Sequence, residues 1–245
     1  MSARIVSLVP SLTELIWWFG LQDALVGRTR FCVEPRGEVE RVLIVGGTKN
    51  PRVAKVLALR PDLVIANKEE NRREDVEALR AAGLRVLVTD PNTVPEAVAM
   101  VRELGAELGC RAKAETLAAA TEAALAEPPP ARKARVFVAV WKDPLMGLGC
   151  ASYGHDLLEA AGAVNVLGGQ PRYPATTLAD VAQLRPNLVL LPDEPFPFRE
   201  RDLAAFAAVA PARLLDGKLL WWYGPRMPGA IRELRAIFAD AASRE

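Results

Sequence analysis

The sequence predicts an α/β protein made of two Rossmann-like lobes, each a parallel sheet flanked by helices. A helical backbone joins the lobes, and a ligand cleft is expected between them. Three observations lead there: an internal repeat, strand-like runs that are apolar without alternation, and an Ala-rich helical stretch between the two copies.

The repeat is read directly. LALRPDLVIANKEE, from Leu57, matches AQLRPNLVLLPDEP, from Ala182, in order and character. Each is a helix end, a Leu-Arg-Pro break, an apolar run and an acidic polar loop. Upstream, RIVSLVPS from Arg4 pairs with RVFVAVWK from Arg135; downstream, LRVLVTDPNTVPEAV from Leu84 pairs with ARLLDGKLLWWYGPRMPGAI from Ala212. The runs IVSLV, LVIA, VFVAV and LVLL lack the period of two that marks a half-exposed strand. Strands buried on both faces belong to parallel sheets covered by helices. The lobes are placed at residues 1–92 and 134–245, with connecting helices over 93–133. In the connector, Thr93 is a candidate N-cap with Pro95 and Glu96 in the opening turn, and the Ala-rich second helix must stop at Pro128–Pro130. Trp17 and Trp18, in TELIWWFG, are expected to be helix packing residues.

Composition narrows the function classes. The chain has 245 residues, 51% hydrophobic and 25% charged, with a net charge of +1. That balance offers no electrostatic footprint for nucleic acid or an anionic membrane, and no run approaches the length of a membrane span. Three cysteines (Cys32, Cys110, Cys150) and one histidine make neither a disulfide framework nor a zinc site. The opening MSARIVSLVPSLTEL enters a strand without a signal-peptide pattern, which predicts a cytoplasmic monomer as written, and a periplasmic or cell-surface one if the native start lies upstream.

Open parallel sheets bind ligands beyond the carboxyl ends of their strands. In the first lobe this nominates Pro10–Thr13, Arg28–Cys32, Gly46–Asn50 and Asn67–Glu70. In the second it nominates Trp141–Pro144, Ser152–His155, Arg172–Pro174, Asp193–Phe196 and WWYGPR from Trp221. Aromatic and basic residues recur at these tips, where solvated loops are ordinarily small and polar.

The resulting candidates are Phe31, Cys32, Thr48, Lys49, Lys68, Trp141, Tyr153, Tyr173, Trp222, Tyr223 and Arg226. The LLWW run is read as strand, so its neighbouring residues point to opposite faces and at least one of Trp222 and Tyr223 lines the site. Trp141 caps VFVAV at a loop tip. Arg226 offers a fork for a carboxylate or phosphate; Lys49 and Lys68 offer charge to acidic substituents. Tyr153 and Tyr173 are phenols for stacking or for an oxygen ligand. No metal ligand is assigned; His155 is the lone candidate axial ligand to iron or cobalt, against its plain place in a helix start. No intrinsic cofactor is expected. Catalysis is not expected either: no G-x-S-x-G, P-loop or G-x-G-x-x-G follows a strand, and any Ser–His or Cys–His set would have to use His155.

Four stretches in this order carry a family resemblance: RIVSLVPSLTELIWWFGLQDALVGRTRFCVEP, VGGTKNPRVAKVLALRPDLVIANKE, SYGHDLLEAAGAVNVLGG and the closing WWYGPR. Together they resemble the helical-backbone (class III) metal-chelate receptors, and most of all the vitamin B12-binding proteins of ABC importers. The resemblance implies a bilobed receptor that clamps a metal chelate, foremost a corrinoid such as cobalamin, with haem or a ferric siderophore as the alternative. An enzyme of tetrapyrrole or corrinoid metabolism is the alternative of a different class. It also implies aromatic contacts from both lobes. Phe31 falls where relatives place a tyrosine, and Trp222 or Trp221 falls near a second-lobe tryptophan. Lys68 stands where the B12 receptor has a tryptophan. An exposed acid on each lobe is implied to dock on a permease, with Glu70 or Glu74 and Glu194 or Glu200 in range.

Overall fold

A computed structural model describes residues 3–243. The chain resolves into two compact units. Among the described residues, the first holds 3–90, Met100–Glu115 and Tyr223–Pro225; the second holds Pro91–Ala99, Thr116–Trp222 and 226–243.

The first unit is built on five parallel strands: β1 (Ile5–Ser7), β2 (Leu25–Thr29), β3 (Leu43–Gly46), β4 (Leu63–Asn67) and β5 (Val86–Thr89). Their order is β3-β2-β1-β4-β5. Helix α1 (Pro10–Trp18) packs on β1 and β2; α2 (Val53–Ala58) and α3 (Arg73–Ala81) pack on β3 and β5. Val6, Val45, Val64 and Val86 of the sheet close a core with Val56, Val76 and Leu79 of the helices. The central strands β1 and β4 are buried along their length, as uninterrupted hydrophobic runs require, while the edge strand β3 leaves Leu43 and Ile44 exposed.

Helices α4 (Val94–Glu107) and α5 (Arg111–Ala126) follow. Thr93 Oγ1 accepts the Glu96 N–H (3.2 Å), the cap expected from the sequence. Helix α5 stops at Ala126, ahead of Pro128–Pro130.

The second unit contains β6 (Ala134–Trp141), β7 (Met146–Gly147), α6 (Tyr153–Ala160), β8 (Ala163–Asn165), α7 (Leu178–Gln183), β9 (Leu188–Pro192), α8 (Glu200–Ala207), β10 (Ala212–Leu215), α9 (Lys218–Trp221) and α10 (Met227–Ala242). Its sheet runs β10-β9-β6-β7, and β8 also pairs with β6. The β6–β7 pairing is antiparallel, a departure from the all-parallel expectation. Phe137, Val189, Leu191, Phe198 and Phe206 centre this core.

The repeat persists to the level of atoms. Arg4 donates its main-chain N–H to Asp62 Oδ2 (2.7 Å) and its guanidinium to the Leu59 carbonyl (2.8 and 3.1 Å). Arg135 donates its N–H to Asn187 Oδ1 (2.7 Å) and its guanidinium to the carbonyls of Arg185 (3.0 Å) and Leu184 (2.5 Å). Proline disfavours a right-handed helical residue before it. Arg60 and Arg185, each preceding a proline, take left-handed backbones (φ 44° and 49°) that turn helix into strand. Leu-Arg-Pro is thus a stop-and-turn device, and the arginine opening the adjacent strand satisfies the freed carbonyls.

Three local expectations are corrected. Pro10–Thr13 is not a loop: Pro10 occupies the first turn of α1, where a missing N–H costs nothing. The LLWW run is not strand. Lys218–Trp221 forms a single helical turn, because β10 ends at Leu215 and Asp216 Oδ1 then accepts the Lys218 N–H (3.0 Å). Trp18 is 38% exposed rather than core. Successive helix residues lie about 100° apart, so Trp17 and Trp18 cannot face the same packing surface. Trp17 is half-buried, under Arg41 (5.0 Å), with its indole N–H on Glu38 (3.3 Å).

Candidate functional site

In the first unit the strand-end loops are tied together by two buried amides. Asn67, the last residue of β4, donates Nδ2 to the Thr89 carbonyl (3.0 Å) and hydroxyl (3.2 Å). Its Oδ1 accepts the N–H groups of Glu69 (2.8 Å) and Glu70 (3.1 Å). Asn71 accepts the Asn67 N–H (2.8 Å) and donates to the carbonyls of Thr48 (2.9 Å) and Leu8 (3.3 Å). Four loops, following β1, β3, β4 and β5, are held by two side chains. The sequence reading missed both as organisers. The scarcity of Asn in the chain was the available signal.

Phe31 stands on this platform and is 54% exposed. Its loop is rigid from below: Arg28, buried, donates to the carbonyls of Val39 (2.9 Å), Cys32 (2.9 Å) and Thr29 (3.2 Å), and Thr29 Oγ1 accepts the Phe31 N–H (3.3 Å). The ring lies against Gly47, where an added Cβ would come within 3.3 Å of Phe31 Cε2. Cys32 is wholly buried, its thiol 3.2 Å from Thr29 Oγ1, and burial pushes its pKa up; it anchors the loop and presents no thiolate. Thr48 is buried as well. Lys68 pairs with Asp90 (2.5 Å), and Lys49 donates to the Glu69 carbonyl. Glu70 is recessed, and burial raises its pKa against the pull of Lys49. Tyr223 groups with this unit. It is buried, its hydroxyl bonded to Thr89 and Ser11 side chains, and burial drives its pKa up.

In the second unit Trp141 ends β6, is 41% exposed, and rests edge-on against Phe196 (5.4 Å between ring centres). Phe196 contacts Phe198 (4.7 Å), which contacts Phe206 (5.8 Å), so an aromatic row runs from the core to this surface ring. Beside it Lys142 Nζ pairs with Asp202 (2.6 Å), which also caps α8 through the Arg199 N–H (2.9 Å). Tyr173 is half-buried on a segment bonded to the β7 edge, through Gly149 N–H to Arg172 O (2.7 Å) and Gly147 N–H to Pro174 O (3.0 Å).

The remaining second-unit candidates sit elsewhere than expected. Tyr153, opening α6, is buried, and desolvation raises its pKa. His155 Nδ1 lies 3.0 Å from Asn165 Nδ2, whose amide also reaches the Leu148 carbonyl (2.9 Å). The amide donates to Nδ1, placing the imidazole proton on Nε2 in a structural bond. Among the described residues no group of three or more His, Cys, Asp or Glu side chains could hold a metal ion. Trp222 is only 5% exposed, and its ring carries Arg226 at 5.3 Å and Lys218 at 5.7 Å. Cations against the ring leave it a support for charge more than a bare stacking face.

The strand-end loops of the two α/β units thus carry exposed rings, Phe31 in the first and Trp141 in the second, each on a braced base, an arrangement suited to holding a solute. The chain belongs to the periplasmic binding protein family, whose sequence profile matches residues 5–184. It is 29% identical to YvrC of Bacillus subtilis, named as an uncharacterized ABC transporter substrate-binding lipoprotein; the alignment covers 97% of this chain and 80% of the relative. It is 26% identical to the vitamin B12-binding protein of Salmonella typhimurium, covering 77% of this chain and 71% of that one. Among solved structures, a periplasmic heme-binding protein from Pseudomonas aeruginosa superposes with a TM-score of 0.81 at 25% identity, covering 99% of this chain and 94% of the other. The chain is therefore a solute-binding protein of that family, and the curated relatives it matches are named as binding proteins.

Proposed function

We propose that the protein binds a metal chelate, foremost a corrinoid of the cobalamin type, through the strand-end loops of both units and delivers it to an ABC permease. The observation that carries this reading is the pair Phe31 and Trp141: large exposed rings at strand-end loops, one from each unit's set of those loops, each on a rigid base. Exposed aromatics of that kind await a flat apolar partner. Phe31 and Trp141 are the ring contacts. Lys49, Lys68, Tyr173 and Arg226 meet polar substituents at the rim, while Cys32, Thr48, Tyr153 and Tyr223 hold the loops in place. The vitamin B12-binding relatives favour a corrinoid over haem. The lipoprotein and periplasmic names of the relatives favour work outside the cytoplasmic membrane; no helix among the described residues is long and apolar enough to cross one.

The test is titration with cyanocobalamin, haemin and a ferric siderophore, followed by tryptophan fluorescence and calorimetry. Saturable binding of the corrinoid, tighter than that of the other two by about tenfold or more, is expected. No binding of any of the three sinks the reading.

For the permease, the geometry favours Glu74 and Glu200 over Glu70 and Glu194. Glu74 and Glu200 lie exposed in the first turns of α3 and α8, repeat-equivalent helices, whereas Glu70 and Glu194 are recessed. Glu74→Lys with Glu200→Lys should leave chelate affinity unchanged within about twofold and abolish chelate-driven stimulation of permease ATPase activity. Unchanged stimulation removes these two residues from the docking role.

A further inference from the structure

We propose that Lys218 and Arg226, mounted on Trp222, form a subsite for an anionic side arm of the bound chelate, a carboxylate or a phosphate, and that Glu194 governs how strongly it attracts that anion. The proposal rests on the chelate-binding reading above and specifies which periphery the second unit selects.

The geometry begins at Gly217. Its N–H is accepted by Asp193 Oδ1 (2.8 Å), and a Cβ there would come within 3.0 and 3.1 Å of the Glu194 main-chain O and N. Glycine thus lets the one-turn helix α9 close directly over Glu194. From that turn Lys218 extends over the Trp222 ring, and Arg226, just ahead of α10, reaches the same ring. The Trp221 indole N–H fixes the loop by donating to the Glu194 carbonyl (2.7 Å). The Trp222 indole donates to the Glu194 carboxyl group. One carboxyl oxygen, Oε1, is buried with no hydrogen-bond partner. Two cations thus share one aromatic ring, and a single recessed carboxyl sits at that ring's N–H.

The charged groups around Glu194 are few. Lys218 attracts its anion, while Asp193 and Asp216 repel it; Lys218 also lies 3.7 Å from Asp216. Burial is the largest effect and, despite the indole and Lys218, pushes the Glu194 pKa up to about 7. The carboxyl therefore changes charge near neutrality. When ionised, it offsets the positive charge of Lys218 and Arg226. When protonated, it no longer offsets that charge, and the local potential favours an anion more. An incoming anion favours the protonated form, so binding takes up a proton, and affinity for anionic chelates falls as pH rises through about 7. A chelate with neutral arms has no such dependence.

Three corrinoids with the same cobalt macrocycle test this: aquacyanocobinamide (amide arms), its phosphate ester, and aquacyanocobyrinic acid (carboxylate arms). Dissociation constants are measured at about pH 6 and about pH 8.5, where these arms keep a net negative charge or none. Cobinamide should change by less than about twofold, and at least one anionic corrinoid should weaken by about fivefold or more; which one does so distinguishes carboxylate from phosphate. Glu194→Gln, which keeps an acceptor for the indole, should flatten the profile. Lys218→Met with Arg226→Met should abolish the preference for the anionic ligand at both pH values. In the unliganded protein the Trp222 indole N–H resonance should titrate near pH 7, and should not do so in Glu194→Gln. Parallel pH profiles for all three corrinoids, or an anionic preference that survives the double methionine variant, overturns the subsite and leaves chelate binding standing. Failure of cobinamide to bind at all removes the chelate reading and the subsite together.

Discussion

Asn67→Leu should destabilise the first unit by roughly 2–4 kcal/mol and abolish high-affinity ligand binding. The side chain is of similar size, so the loss is not one of volume. It is the loss of four hydrogen bonds, two donated to Thr89 and two accepted from Glu69 and Glu70, inside a site almost closed to water. Each is worth about 1 kcal/mol net, and orphaned partners cost more where water cannot replace the lost contact. The Glu69 carbonyl is also where Lys49 is held, so the disturbance reaches the loop after β3. Chemical denaturation gives the stability change, and amide exchange at Glu69 and Glu70 locates it. A shift under about 0.5 kcal/mol with unchanged exchange would show that Asn67 is replaceable and that the loops are held by other means.

What could be read from the sequence and what could not divides along physical lines. The Leu-Arg-Pro breaks were legible because proline dictates the backbone before it, and the two breaks do execute the same turn with left-handed Arg60 and Arg185. Uninterrupted apolar runs were legible as covered parallel strands, since burial on both faces favours apolar residues at successive positions, with buried polar residues such as Ser7 and Asn67 kept to the strand ends. The one-turn helix α9 was not: four residues are too few to display a period, and two tryptophans in series read equally well as strand. The roles of Asn67 and Asn71 were hidden for a different reason. A buried amide is worth what its partners make it, and these partners lie up to 63 positions away, at Leu8. Trp222 shows the same limit. Its aromatic character was plain from the sequence, but the two cations over its ring and the carboxyl at its N–H come together only through the fold. Phe31 and Trp141 were legible as exposed rings, because they lie just past the end of β2 and at the end of β6.

Those two rings support the second large effect. Phe31→Ala and Trp141→Ala should each weaken corrinoid binding by about tenfold, and the double variant by about a hundredfold, with the melting temperature nearly unchanged. The reasoning is one of area. Each ring is about half in water without ligand, so only that exposed part is newly buried on binding, worth roughly 1–2 kcal/mol per ring. Because the same area is not buried on folding, stability has little to lose. Trp141 has more to lose than Phe31 through its edge contact with Phe196, so a small drop in melting temperature is expected there alone. Trp222→Ala should behave in the opposite way. A ring that is 5% exposed and packed under two cations contributes to stability first, and its removal should lower the melting temperature by several degrees. The contrast decides between two accounts of the aromatics. If Phe31 and Trp141 are the ligand faces, their double variant binds cobinamide weakly while folding normally. If that variant keeps full affinity, the exposed rings are incidental and the ligand is held at the rim by cations and tyrosines instead.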